Sequence, residues 1–200
     1  KNRGTPDKWK EWWTKDDNVR SYYFVGKDNI PFHTIIWPAM LLGYDENLPL
    51  PYDVPANEFL NLEGRKFSKS DHWAVWINDY LKSYDPDPLR YLLSANMPEF
   101  ADTDFTWKEF VRRNNDELIA NWGNLANRVL TFTYKNFDQR VPTPGELTDA
   151  DRALIEKSET AFAYIGDALG RVRFKEAIGI AVDLARAGNQ YLQITEPWKT

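Results

Sequence analysis

Two hundred residues, 42% of them hydrophobic and 15% aromatic, are enough to bury a core in one or two domains. The formal net charge of -5 leaves none of the general basic footprint that phosphate neutralisation requires, so any nucleic-acid contact has to rest on local residues. Cysteine is absent, which excludes disulfides and thiolate metal sites within these residues, and no apolar run approaches the ~20 residues that span a bilayer.

The opening, KNRGTPDKWKEWW, has neither an initiator Met nor the charged-then-apolar layout of a signal peptide. Lys1 therefore reads as a cut boundary, and the cytosol is the default compartment. Residues 21–26, SYYFVG, form a β-branched and aromatic run closed by Gly and are expected as a strand. A helix is expected over 28–43, with Asp28 as N-cap and Ile30, His33, Ile36, Trp37 and Met40 at three- and four-residue spacing. Pro31 suits its first turn, whereas Pro38 would kink or shorten it. Strand, Gly, helix is the α/β order in which the loop at the strand's carboxyl end meets a ligand.

Residues 45–58 hold three prolines and read as a loop, and FLNLEG, 59–64, reads as a short strand. Beyond the Lys/Ser cluster, 75–84 and 85–97 are expected as two short helices, and EFADTDF, 99–105, as a turn-rich link. From Trp107 the period becomes that of a long amphipathic helix with Leu118, Trp122, Leu125, Val129 and Phe132 on one stripe. The link DQRVPTPGELTDAD breaks it, and helices follow over about 149–171 and 173–194, the second carrying Phe174, Ile178, Ala181, Leu184 and Tyr191 along one side. The last ~95 residues thus read as an antiparallel helix bundle.

Three groups of residues carry chemistry. In KFSKS, the ammonium groups of Lys66 and Lys69 can follow a polyphosphate that shifts during reaction, and Ser68 and Ser70 add hydroxyl and amide donors. Gly64 gives the backbone freedom for such a loop to close, although the same composition also suits a solvated turn. In GKDNIPFH, Asp28 at the end of a strand is placed to accept from ribose hydroxyls, and Gly26 lets a ligand approach the backbone. The plainer role for Asp28 is to cap its helix. His33, flanked by Phe32, Ile36 and Trp37, is either a ligand-pocket residue or a half-buried packing histidine.

YYFVGKDNIPFHTIIWPAMLLGY followed by GRKFSKS resembles the methionyl-tRNA synthetases, class I aminoacyl-tRNA synthetases whose second ATP-binding motif is Lys-Met-Ser-Lys-Ser. Phe67 replaces the Met. WGNLANRVL is similar to the family's anticodon-reading helix and ITEPW to the turn after it, so the resemblance runs colinearly along essentially the whole chain. It implies an α/β plus all-α fold: the second half of a Rossmann-like nucleotide fold over 1–56, the KFSKS loop and stem-contact segment over 57–105, and an antiparallel helical anticodon-binding bundle over 106–200. It also implies ATP binding by Gly26, Asp28, Lys66, Ser68, Lys69 and Ser70, with Lys66 and Lys69 catalytic. His33 would line the methionine pocket, and Asn124, Arg128 and Trp198 would contact the anticodon of tRNA(Met). Splayed bases are read by amide and guanidinium hydrogen bonds and by aromatic stacking, the set that Asn, Arg and Trp provide.

The family's first ATP-binding motif, His-x-Gly-His, has no counterpart, because the only histidines are His33 and His72. The resemblance therefore implies a C-terminal portion of the enzyme that does not activate methionine alone, with ATP and Mg2+ belonging to the longer protein and no metal site in these residues. Two alternatives remain open on the residues: another class I synthetase, for leucine, valine or cysteine, and a non-catalytic tRNA-binding module.

Overall fold

A computed structural model describes residues 7–14, 16 and 18–199. The chain divides into two compact units, one holding the described residues up to Phe59 with Pro98–Asp102, the other Leu60–Met97 with the residues from Thr103 onward.

The first unit begins with a single helical turn, α1 (Lys10–Trp13). The expected strand condenses to β1 (Val25–Gly26), which pairs in parallel with β2 (Ala56–Asn57), and Tyr22 bridges Asp53 in the same sense. Parallel strands need a crossover. It is supplied by a 3-10 turn, Lys27–Asn29, a π turn, Phe32–Ile36, and α2 (Trp37–Tyr44). Pro38 neither stops nor merely shortens this helix. Its ring has no N–H for the Thr34 carbonyl and crowds it, and the preceding turn widens until the Trp37 N–H bonds the Phe32 carbonyl. Asp28 does not cap: Gly26 takes the N-cap place, and Asp28 lies exposed inside the 3-10 turn.

The second unit is built on a three-stranded sheet, with β3 (Leu60–Leu62) between β4 (Arg65–Lys66), antiparallel, and β5 (Thr103–Phe105), parallel. Leu62 pairs with Arg65 across a two-residue turn in which Glu63 and Gly64 both have positive φ, 49° and 76°, the left-handed pair that a tight hairpin demands. Both oxygens of Asp104 accept the Gly64 N–H, at 3.0 and 2.9 Å, which locks the turn to β5. Strand β5 occupies the stretch expected as a turn-rich link; three residues are too few for a period-2 pattern to show.

Two helices, α3 (Ile77–Tyr80) and α4 (Pro86–Ala95, with Pro in its first turn), cover the sheet. Leu62, Tyr80, Leu89, Leu92, Phe105 and Phe110 form the core between them. Asn96 at the end of α4 donates to the Asp104 carbonyl at 2.8 Å and accepts from the Thr103 hydroxyl at 2.9 Å, so helix end and strand satisfy each other.

A helical run then extends from Trp107 to Asn136: α5 (Trp107–Arg112), capped by Thr106 whose hydroxyl accepts the Glu109 N–H, an 11-residue π segment, Arg113–Gly123, and α6 (Asn124–Asn136). The π segment corrects the expected apolar stripe. More than 3.6 residues per turn shift the phase, so Asn121 is buried while Trp122 and Val129 are 59% and 42% exposed. Asn121 is satisfied there: its side-chain amide donates to the Val182 carbonyl at 3.1 Å, and Asn189 donates to its Oδ1 at 3.1 Å and to its backbone carbonyl at 2.9 Å. Helices α7 (Asp149–Gly170) and α8 (Phe174–Thr195) pack together through small residues, with Ala161, Ala168, Ala177 and Ala185 buried and the expected Ala181 outside. A Thr148–Asp151 capping box starts α7, and the Tyr191 hydroxyl of α8 donates to Asp151.

Leu92 is 1% exposed at the centre of the core, and Leu92→Ala should cost about 2 to 5 kcal/mol in urea unfolding. Glu109 is hydrogen-bonded by Arg112 and Arg113, which holds its carboxyl down at about 2. A carboxylate depressed in the folded state contributes stability that is present above its unfolded pKa and is lost as pH falls through the folded one. Stability should therefore decline between about pH 4.5 and 2. Glu109→Gln should flatten that decline when unfolding free energies at pH 6 and pH 3 are compared.

Candidate nucleotide and nucleic-acid sites

In the first unit, Gly26 ends β1 at an exposed point where a Cβ would meet no atom within 4 Å, so the ground in front of it is open. The residue between Gly26 and Asp28 is the best-anchored of the three. The Lys27 ammonium bonds Glu58 and lies 3.1 Å from Asp102 and 4.2 Å from the centre of the Phe59 ring, while Asp102 also accepts the Phe59 N–H at 2.9 Å. The hydrogen bond to Glu58, then that to Asp102, raises the pKa of Lys27. The Phe59 N–H, then Lys27, lowers that of Asp102. Sequence reasoning passed over Lys27, because a lysine beside a glycine carries no signal until the fold brings Glu58 and Asp102 to it.

His33 is half-buried, with Nδ1 3.0 Å from the Asn29 carbonyl. A carbonyl only accepts, so Nδ1 is the donor in this contact. One turn on, the indole N–H of Trp37 is buried with no hydrogen-bond partner among the described residues, an unsatisfied donor on the same helix face.

In the second unit, KFSKS leaves the end of β4 and closes a tight hairpin. Ser68 and Trp73 exchange backbone bonds of 3.0 and 2.9 Å, and His72 at the tip has φ 53°. The base is pinned by Trp73, whose indole N–H donates to the Leu62 carbonyl at 2.9 Å and whose ring lies under the Arg65 guanidinium at 4.7 Å. Lys66, Lys69 and Ser70 are exposed and Ser68 is half-buried. Ser68 Oγ lies 2.9 Å from Asp71 Oδ2 and 3.1 Å from Ser70 Oγ.

On the helices of this unit, Asn124 is exposed in the first turn of α6 and Arg128 follows one turn later. The Arg128 guanidinium sits 5.2 Å from the ring centre of Trp198, which lies in a 3-10 turn, Pro197–Lys199, beyond α8. Glu196, with φ 41°, makes the left-handed step that turns the chain there. Arg128 and Trp198 border a cavity of about 550 Å³ that is largely apolar, with Phe132, Phe137, Tyr191 and Pro197 among its walls. Its charged lining side chains, Arg128 and Lys135, are both cations. The structure thus joins two of the three expected anticodon residues and puts the third one turn away. Gly26, Asp28 and His33 belong to one unit and the Lys/Ser loop to the other. Among the described residues no group of three or more His, Cys, Asp or Glu is arranged to hold a metal ion.

The family model described as "tRNA synthetases class I (M)" matches residues 1–130. A methionine–tRNA ligase of Thermomicrobium roseum is 54% identical over 195 residues, which cover 98% of this chain and 33% of the relative. Those of Roseiflexus castenholzii and Dehalococcoides mccartyi are each 56% identical, over 98% and 99% of this chain and 33% and 35% of their own length. The chain therefore spans about a third of the length of the curated relatives it matches. Among solved structures, Mycobacterium tuberculosis methionyl-tRNA synthetase bound by methionyl-adenylate superposes with a TM-score of 0.80 at 30% identity, covering 89% of this chain and 34% of that one. The free-state structure of that enzyme gives 0.78 at 29% identity.

Lys27→Met should loosen the strand end that carries Gly26 and Asp28. The Val25 N–H bonds the Pro55 carbonyl and the Glu63 N–H bonds Phe105. Hydrogen exchange at Val25 should accelerate about tenfold while exchange at Glu63 keeps its rate.

Proposed function

The chain belongs to the class I tRNA synthetases of the methionyl type, and from that membership we propose that it is the portion of a methionine–tRNA ligase that supplies the mobile half of the ATP site and the anticodon-reading surface. The longer protein joins methionine to ATP: the methionine carboxylate attacks the α-phosphate, pyrophosphate leaves, and the methionyl group passes to the 3′ end of tRNA(Met). ATP enters as its Mg2+ complex, a substrate.

In this chain's share of the work, the exposed ammonium groups of Lys66 and Lys69 neutralise charge gathering on the phosphates, and Ser68 and Ser70 add donors from the same hairpin. Gly26 and Asp28 hold the adenosine ribose, Asp28 being free of capping duty and Gly26 open to approach. His33 lines the methionine side-chain pocket beside Phe32 and Tyr23, with ring centres 5.2 and 6.1 Å away. We assign 1–56 to the second half of a Rossmann-like nucleotide fold, 57–105 to the loop and stem-contact segment, and 106–200 to an antiparallel helical anticodon-binding bundle, in a protein of the cytoplasm.

The observation that carries the proposal is the Arg128–Trp198 contact at the mouth of a cavity with cationic charge only. A guanidinium, an indole face and an amide one turn away form a surface for unstacked bases, and they explain how a chain of net charge -5 can meet RNA locally. A stem-loop carrying the CAU anticodon should bind more tightly than one with a scrambled loop. Trp198→Ala should weaken CAU binding by about 1 to 3 kcal/mol, the worth of one stacked base, as measured by fluorescence anisotropy of labelled RNA. Equal affinity for both loops would remove the anticodon assignment and leave a general tRNA-binding module.

A further inference from the structure

A serine hydroxyl has one proton to give and two lone pairs to receive. In the Lys/Ser loop those of Ser68 are all committed. Its proton goes to Asp71 Oδ2 at 2.9 Å, and its oxygen accepts the Asp71 backbone N–H at 3.3 Å. Because that proton is spent, the 3.1 Å contact with Ser70 has Ser70 as donor. Both hydroxyls therefore point inward along one chain that ends on the Asp71 carboxylate.

We propose that Asp71 is a positioning residue that stands in for phosphate: its carboxylate takes the Ser68 proton, and Ser68 in turn takes that of Ser70, so the carboxylate must be displaced before the two hydroxyls can turn to a polyphosphate. The proposal rests on the loop's assignment to ATP phosphates and adds how that site is held when vacant. A carboxylate and a phosphate oxygen are both acceptors of negative charge, so they compete for the same protons and repel each other across them. The exchange needs no refolding. The Ser68–Trp73 backbone pair and the Trp73 indole bond to Leu62 fix the base of the hairpin. The two hydroxyl rotors and one short side chain at the exposed tip do the switching. Asp71 thereby opposes Lys66 and Lys69, lowering the loop's affinity for stray anions and keeping its donors ordered.

The test is a titration of inorganic tripolyphosphate, followed through the backbone amide signals of residues 66–72 by NMR at low ionic strength, with circular dichroism verifying that each variant keeps its helices. Asp71→Ala should lower the Kd by about threefold or more, and Asp71→Asn, which keeps a neutral acceptor, by less. In the Ser68→Ala background the gain from Asp71→Ala should shrink to that of Asp71→Asn alone, because only the lost repulsion remains once the hydroxyl is gone. A Kd unchanged or raised by Asp71→Ala overturns the proposal, as does a gain that is undiminished without the Ser68 hydroxyl. Absence of saturable shifts in the unsubstituted protein, or binding that survives Lys66→Ala with Lys69→Ala, overturns the phosphate assignment of the loop itself.

Discussion

Strand β3 has a neighbour on each edge, and the second unit is arranged around that fact. Three residues long, it takes β5 in parallel on one side and β4 on the other. It sends Leu62 into the core and offers the Leu62 carbonyl to the Trp73 indole. The hairpin bearing the two lysines therefore hangs directly from a buried strand of the core. A loop that must change its contacts needs such an anchor, since hydroxyls and flexible ammonium stems can move with little cost only where the backbone beneath them stays put. Asp104 extends the same constraint, because holding the Gly64 N–H from β5 fixes the turn from which β4 starts.

Charge is distributed with the same economy. Acidic residues outnumber basic ones, 30 to 25, yet cations gather locally, Lys66 and Lys69 on the exposed hairpin and Arg128 and Lys135 around the cavity. The cavity beside Trp198 is lined by Arg128 and Lys135 alone among charged side chains. The opposite arrangement holds where helices must be welded: Arg112 and Arg113 share Glu109 and Glu117, and Tyr91 donates to Glu117 at 2.6 Å. Burial is the largest influence on Tyr91 and raises its pKa, with the bond to Glu117 acting the same way. Net charge thus said little about partners, whereas the local sign around each aromatic surface says a good deal.

How much of this was legible in the sequence depended on whether a feature is periodic, chemical or tertiary. Helices α7 and α8 were readable because their small and apolar residues recur for 22 residues each. KFSKS suited a solvated turn as well as a phosphate loop, so its chemical reading, like the join between Arg128 and Trp198, 70 positions apart, came through family resemblance. Strand β5 was invisible because TDF is too short to alternate, and its pairing is set by the Asn96 and Gly64 bonds that reach it. The apolar stripe of the long helix was read in the wrong phase because a 3.6-residue period was imposed on a segment that does not have it. Lys27 was missed because its carboxylates, Glu58 and Asp102, are 31 and 75 positions away.

That segment, Arg113–Gly123, also sets a rule for how the chain can change length. An α-helix turns each residue by about 100°, so a run of wide turns stores surplus chain that one lost residue could convert to ordinary helix. Asn121 would then leave Val182 and Asn189, and everything after it, Arg128 included, would rotate away from Trp198. Substitutions on the outer face of the segment leave that angle alone, whereas insertions or deletions reset it. Among descendants of this sequence, the length from Trp107 to Arg128 should drift far less than its composition.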